Sequence, residues 1–257
     1  MRREPFSDQE LSRDAFLGGR ATLCQPRDGY RAGIDPVLLA ATVPARPGDT
    51  VLELGCGAGA ALVCLGVRVG SLALTGIEVQ PGYAALARVN LAENQLSGTV
   101  IEADITAPPP PIRAQSFHHV MANPPYFLPH DRSAAGDDGK ELGLAGPAPL
   151  KLWVELAARR LRPGGTATFI QRADRLPELL AAAQERLGSL ELWPLAPRIG
   201  RPPRLILLRG RKGGRAAFRF HAPLILHENA THLEDGEDYT DVIRATLRDG
   251  KPLFFPA

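Results

Sequence analysis

Cysteine, methionine and tryptophan are scarce in this 257-residue chain, numbering three, two and two. Cys24, Cys56 and Cys64 stand neither in paired metal-ligand spacing nor in an even number, which argues against a metal cluster and a disulfide framework and suits a reducing compartment. An apolar run of about 18 residues is also lacking, so nothing reads as a membrane-spanning helix. The first residues, MRREPFSDQELSRD, are dense in charge and carry no apolar core of signal-peptide length. The expectation is a cytoplasmic protein that uses neither metal nor membrane.

One absence has positive content. Between Leu192 and His227 there is no acidic residue, while Arg198, Arg201, Arg204, Arg209, Arg211, Lys212, Arg215 and Arg219 all fall in that stretch. The formal net charge of +2 conceals this. A solvated basic face is one reading, and contact with a phosphate backbone is the other. The lack of any counter-charge over such a length favours nucleic acid, with Arg198 and Arg201 as candidate substrate contacts.

What is present from Thr50 onward is an alternation of short apolar runs with helix-length segments. That order is the pattern of a doubly wound α/β fold, a mostly parallel sheet covered by helices on both faces. Strands are expected at Thr50–Leu54, Leu72–Val79, Thr99–Ala103, Phe117–Ala122 and Thr166–Ile170. Helices are expected at Ala58–Arg68, Pro81–Asn94, Ala148–Leu161 and Asp174–Leu187. Two further runs, Leu190–Leu195 and Leu205–Arg209, have no room between them for a crossover helix and read as an antiparallel pair at the sheet edge. The sheet would then have seven strands with an antiparallel edge strand. The prolines 108–111 read as loop because they lack backbone donors, and Phe127–Pro147, polar and rich in glycine, as a long loop at a strand end. Residues 1–48 read as an N-terminal extension in which DGYRAGIDPVLLAATV turns into a helix, 49–210 as the catalytic domain, and 211–257 as a basic C-terminal extension.

The first strand runs directly into Gly55-Cys56-Gly57-Ala58-Gly59. Such a turn lets a ligand approach the backbone, but NAD, FAD and methyl-donor proteins all use one. Its G-x-G-x-G spacing departs from the dinucleotide fingerprint, and Glu53 just before it would repel a pyrophosphate yet suit a cationic sulfonium. The next strands end in Glu78, where a carboxylate can accept two ribose hydroxyls, and near Asp104. In a parallel sheet Glu53, Gly55, Gly57, Gly59, Glu78 and Asp104 share one edge, which favours S-adenosylmethionine as the ligand. The plainer alternative is that Glu53 is an ordinary strand-end carboxylate and Glu78 a charge near a helix dipole. Cys56 reads as a small buried residue rather than a nucleophile.

The strand Phe117–Ala122 ends in Asn123-Pro124-Pro125-Tyr126-Phe127 at the same edge. A planar NH2 is a poor nucleophile because its lone pair is delocalised. The Asn123 side-chain oxygen and the Pro124 carbonyl can each accept one of its N–H groups and aim the lone pair at a methyl carbon, which makes both catalytic candidates together with Tyr126 and puts Asn123 on the cofactor side as well. Two prolines fix the turn, Tyr126 can stack on a target base, and Pro125 and Phe127 are candidate substrate contacts. A proline turn with a core tyrosine is the bland alternative. His118 and His119 read as structural.

In order, VLELGCGAG, GIEVQP, IEADI and MANPPYF resemble the class I methyltransferases that modify adenine N6, specifically the bacterial tRNA1(Val) adenine-37 N6-methyltransferases. The resemblance runs from about Gly29 to Arg209. It implies that the glycine turn, Glu78 and Asp104 hold S-adenosylmethionine, that the Asn-Pro-Pro-Tyr loop holds adenine in tRNA, and that Asp35 sits near the cofactor entrance. GYRAGIDPVLLAA and RLRPGGTATFI resemble flanking segments of the family. A release-factor glutamine N5-methyltransferase would share the loop, since an amide NH2 poses the same problem. The short N-terminal part and Phe127 favour RNA over it. The want of a separate target-recognition domain disfavours DNA adenine, and Asn123 disfavours a protein that merely binds RNA.

Overall fold

The computed structural model describes residues 6–126, 148–228 and 238–256. An antiparallel hairpin comes first, β1 (Leu11–Phe16) and β2 (Ala21–Pro26), followed by α1 (Asp35–Thr42). The alternation then unfolds as expected: β3 (Thr50–Leu54), α2 (Ala60–Val69), β4 (Ala73–Glu78), α3 (Pro81–Glu93), β5 (Gly98–Glu102), α4 (Pro110–Ala114) and β6 (Phe117–Ala122). Beyond residue 147 come α5 (Leu150–Arg160), β7 (Leu161–Arg172), α6 (Leu176–Gln184), β8 (Gly188–Ala196) and β9 (Leu205–Arg211). Two short strands, β10 (Arg219–Phe220) and β11 (Leu224–Ile225), and α7 (Asp241–Asp249) complete the order.

The sheet runs β10-β8-β9-β7-β6-β3-β4-β5, with β11 also on β8. Strand order reverses at β3: β4 and β5 follow on one side, β6 and β7 on the other. Such a reversal opens a crevice beyond the carboxyl ends of the strands, the usual ligand position in an open α/β sheet. Alternation along β3 sends Leu52 and Leu54 into the core under α5 and α6, and Val51 into the core under α1 and α2. Both cores are closed by side chains without measurable exposure, Leu38, Leu62 and Leu65 on one face and Val154, Leu179 and Ala183 on the other.

Several sequence expectations are corrected. The antiparallel strand β9 is not at the edge; it lies between β7 and β8. The β7-α6-β8 crossover leaves a strand's width open, and the short hairpin return fills it. The sheet exceeds seven strands because β10 and β11 add to β8 in parallel. Segment 211–257 is thereby built into the fold: Ile243, Leu253 and Phe255 lie in the same core as α1, and the Leu253 N–H donates to the Ala41 carbonyl at 2.9 Å. The prolines 108–111 are not all loop, since Pro109 caps α4 and Pro110 opens it. Those positions need no N–H donor, which is why proline is tolerated there. Residues 1–48 carry the hairpin β1–β2 besides the expected helix. Phe127 and the loop to Pro147 lie outside the described residues.

Candidate active site

β3, β4, β5 and β6 are mutually parallel, so their ends at Leu54, Glu78, Glu102 and Ala122 share one edge. The turn after β3 closes on itself and on β4. The Cys56 N–H donates to the Ile77 carbonyl at 2.9 Å, the Gly59 N–H to the Cys56 carbonyl at 2.8 Å, and the Gly57 N–H to Glu78 Oε2 at 2.9 Å. Gly55, Gly57 and Gly59 all have positive φ, at 63°, 53° and 82°. Their surroundings differ. A Cβ on Gly55 would lie 2.6 Å from the Trp153 ring and one on Gly59 3.2 Å from Ala87, whereas on Gly57 the first atom met is on Tyr30, at 3.9 Å. The outer glycines are therefore required by packing as well as by backbone, and a Cβ on Gly57 would meet nothing closer than Tyr30.

The carboxylates are held by main-chain donors. Glu78 Oε1 accepts the Gln80 N–H at 2.9 Å, opposite the Gly57 bond, so each oxygen keeps a lone pair for a ligand hydroxyl. Glu53 accepts the Leu62 N–H at 3.2 Å in the first turn of α2, as the plainer reading of a structural carboxylate also requires. Burial pushes both acids upward, Glu53 well above the usual range with help from the Glu78 charge. Neither has a cation bonded to it among the described residues. The same burial pushes the Cys56 thiol well up and keeps it neutral. Asp104 is exposed, two residues past β5, and Oδ1 accepts the Thr106 N–H at 2.8 Å. It borders the crevice through the bond from the Ala103 N–H to the Glu78 carbonyl, 2.9 Å long.

Beyond β6, the Asn123 Oδ1 atom is buried and has no hydrogen-bond partner. The Pro124 carbonyl already accepts the buried Gln171 Nε2 at 3.2 Å, leaving one lone pair. The Tyr126 hydroxyl donates to Asp35 Oδ2 at 2.6 Å. Pro124 is buried, and Pro125 and Tyr126 are half-buried. Asp35 opens α1, so the N-terminal segment reaches the reactive loop itself.

Three residues escaped the sequence reading. Gln171 is fully buried on β7. Tyr30 is 53% exposed as a residue, yet desolvation and the Asp35 and Glu53 charges push its phenol up to about 12. Asn90 is fully buried in α3, and its carboxamide spans the Cys24 backbone of β2 and the Ala58 carbonyl of the glycine turn. An amide on the apolar stripe with Leu86, Ala87 and Leu91 was the available signal. His118 and His119 are structural: both lie at the opposite end of the sheet against Asp49, at 3.4 and 3.1 Å.

The basic stretch divides. Arg209 and Arg219 pair with Glu191, each at 2.7 Å, and Arg198 pairs with Asp238. These pairs answer the missing local counter-charge with acids from outside the stretch. Arg198 is thus paired within the fold. Arg201 has no ion pair among the described residues and sits in the β8–β9 turn, on the crevice edge of the sheet.

The family model described as "Methyltransferase small domain" matches residues 32–138. A tRNA1(Val) (adenine(37)-N6)-methyltransferase of Porphyromonas gingivalis is 30% identical over 231 residues, spanning 83% of this chain and 88% of that protein. The enzyme of the same description from Dickeya chrysanthemi is 26% identical over 227 residues, 87% and 88% of the two chains. Among solved structures, a predicted O-methyltransferase from Agrobacterium tumefaciens superposes with a TM-score of 0.70 at 28% identity, covering 87% of this chain and 100% of that one.

Proposed function

The chain belongs to the tRNA1(Val) (adenine(37)-N6)-methyltransferase family, and from that premise we propose that it methylates the N6 amino group of an adenine in tRNA, in the cytoplasm, with S-adenosylmethionine as donor. The observation that carries this reading is the buried, unpartnered Asn123 Oδ1. A buried acceptor left unsatisfied costs about 1–3 kcal/mol. That cost is offset when a ligand N–H arrives, and a planar NH2 brings two.

When bound, S-adenosylmethionine supplies an electrophilic methyl carbon on a cationic sulfur that keeps the bonding pair as the methyl leaves. Glu78 would hold its ribose hydroxyls, Gly57 allow its approach, and Glu53 and Asp104 lend negative charge at the crevice. Asn123 Oδ1 accepts one N–H of the adenine amine and the remaining lone pair of Pro124 the other. With both hydrogens held, the nitrogen turns more tetrahedral and presents its lone pair to the methyl carbon. The charged nitrogen then releases a proton to solvent, so no general base is assigned. Tyr126 and Pro125 border the amine, and Arg201 is proposed to meet phosphate.

The test is Asn123→Ala in purified protein with labelled donor and RNA from cells lacking this gene. Transfer is expected to fall about 10²–10³-fold, as when one preorganised polar group is removed from a reacting centre, while donor affinity stays within about twofold. Nucleoside mass spectrometry should identify N6-methyladenosine. Unchanged turnover, or methylation of a glutamine peptide in preference to RNA, would overturn the reading.

A further inference from the structure

Residues 27–34, between β2 and α1, form neither strand nor helix, yet their middle is tied down residue by residue. The buried Tyr83 of α3 holds both polar groups of the Tyr30 backbone: its hydroxyl accepts the Tyr30 N–H at 2.9 Å and donates to the Tyr30 carbonyl at 3.2 Å. Gly29 makes that approach possible. Its φ is 109°, and a Cβ there would lie 3.1 Å from the Tyr83 hydroxyl. Arg31 donates to Ser12, Asp14 and the Pro26 carbonyl, and the Ala32 N–H donates to the Gln25 side chain at 2.7 Å. Tyr30, Arg31 and Ala32 are each held by the hairpin or by α3.

The side chain of Tyr30 is the exception. Its hydroxyl makes no hydrogen bond among the described residues, and the residue is 53% exposed. A single exposed aromatic is ordinary on a protein surface. One whose backbone is fixed by its neighbours presents a pre-organised ring, which costs a ligand little to order. This ring reaches the glycine turn: its Cε1 lies 3.9 Å from where a Cβ on Gly57 would stand, an ordinary van der Waals distance. Gly57 is the residue whose N–H is bound to Glu78, the candidate ribose acceptor. The same segment continues into Asp35, which is bonded to Tyr126 of the reactive loop. It therefore spans from the ribose end of the crevice to the acceptor loop, the interval in which the sulfur of the donor must lie. A neutral aromatic face attracts a desolvated cation through its quadrupole. We propose that Tyr30 is a donor-binding residue whose ring packs against the sulfonium of S-adenosylmethionine, so that the site holds the charged donor more tightly than the neutral thioether left after transfer. The inference rests on S-adenosylmethionine as donor and is independent of the acceptor.

Calorimetric binding to the purified full-length chain, with S-adenosylmethionine and S-adenosylhomocysteine as the two probes, reads this without turnover. Tyr30→Leu keeps apolar bulk and loses the quadrupole. It should raise the Kd of S-adenosylmethionine about threefold to thirtyfold and that of S-adenosylhomocysteine no more than about twofold. Tyr30→Phe keeps the ring and should leave both within about twofold. Tm should match the wild type in both variants, because Tyr83 holds the backbone of residue 30 and not its side chain. Tyr30→Met carries the same expectation as the leucine variant, should that one fail to fold. Equal weakening of both probes in Tyr30→Leu, or no weakening of either, would overturn the proposal. So would a loss in Tyr30→Phe as large as in Tyr30→Leu, which would assign the effect to the hydroxyl. A raised KM for RNA with both affinities intact would assign the ring to a base and overturn it as well. A wild-type protein that binds neither probe would instead sink the reading of the donor.

Discussion

Glu78 Oε2 accepts the Gly57 N–H at 2.9 Å, so the carboxylate at the end of β4 holds the glycine turn in shape from below. The candidate ribose acceptor and the backbone around the candidate ligand space are one unit. Glu78→Ala should therefore weaken donor binding by about tenfold to a hundredfold, the range for charged hydrogen bonds. Because burial raises the Glu78 pKa, donor affinity in the wild type should fall on acidification at a pH above the ordinary glutamate value of about 4.3. Calorimetric titration across pH would check this, and Glu78→Gln should lack that limb.

Glu53 gives a stability prediction of definite sign. Its folded pKa is raised well above the unfolded one by burial. The stability it contributes is present below about pH 4.3 and is lost as pH rises through the folded value. At neutral pH the donor-free protein carries this carboxylate at a disadvantage. Glu53→Gln, which can still accept from Leu62, should raise the donor-free Tm at neutral pH and leave it nearly unchanged at pH 4. The rise in Tm on adding the donor should shrink. A lower donor-free Tm at pH 7 would contradict this account.

Asn90 ties three parts together: β2 through both polar groups of Cys24, α3 by its own position, and the glycine turn through Ala58. Asn90→Leu removes these bonds and leaves buried backbone groups unpaired, at roughly 3 kcal/mol or more. For a chain of this length that is a Tm decrease of about 6–12 °C. Thermal unfolding with and without donor should show the loss in both states.

Arg198 and Arg201 should behave differently although three residues apart. Arg198→Ala breaks the pair with Asp238 and should lower Tm by about 2–4 °C, with little change in the salt dependence of RNA binding. Arg201→Ala should leave Tm alone and reduce the slope of log K against log salt by about one. Binding measured from low to physiological salt separates the two.

The parallel order, the crevice and the reactive loop were legible because each rests on local chemistry. Thr50–Leu54 and Phe117–Ala122 have the observed bounds, since runs of branched and apolar residues framed by glycine or proline leave a short strand as the one available structure. The position of β9 was not legible. A hairpin's order in a sheet depends on the gap left by the preceding crossover, which no property of residues 188–211 encodes. The ion pair of Arg198 was not legible for a related reason, because Asp238 reaches it from forty residues away.

The reactive loop carried the chemistry from the outset: Asn123 beside prolines is a local arrangement of acceptors, and adjacency in the chain was enough to see it. What that adjacency does not give is how the loop is tied down: the Tyr126 hydroxyl donates to Asp35 and the Pro124 carbonyl accepts from the buried Gln171. The sequence by itself determined which polar groups are available and that they share one edge. Their orientation and occupancy were decided by tertiary structure alone, because a hydrogen bond's direction depends on partners that only folding brings within 3 Å.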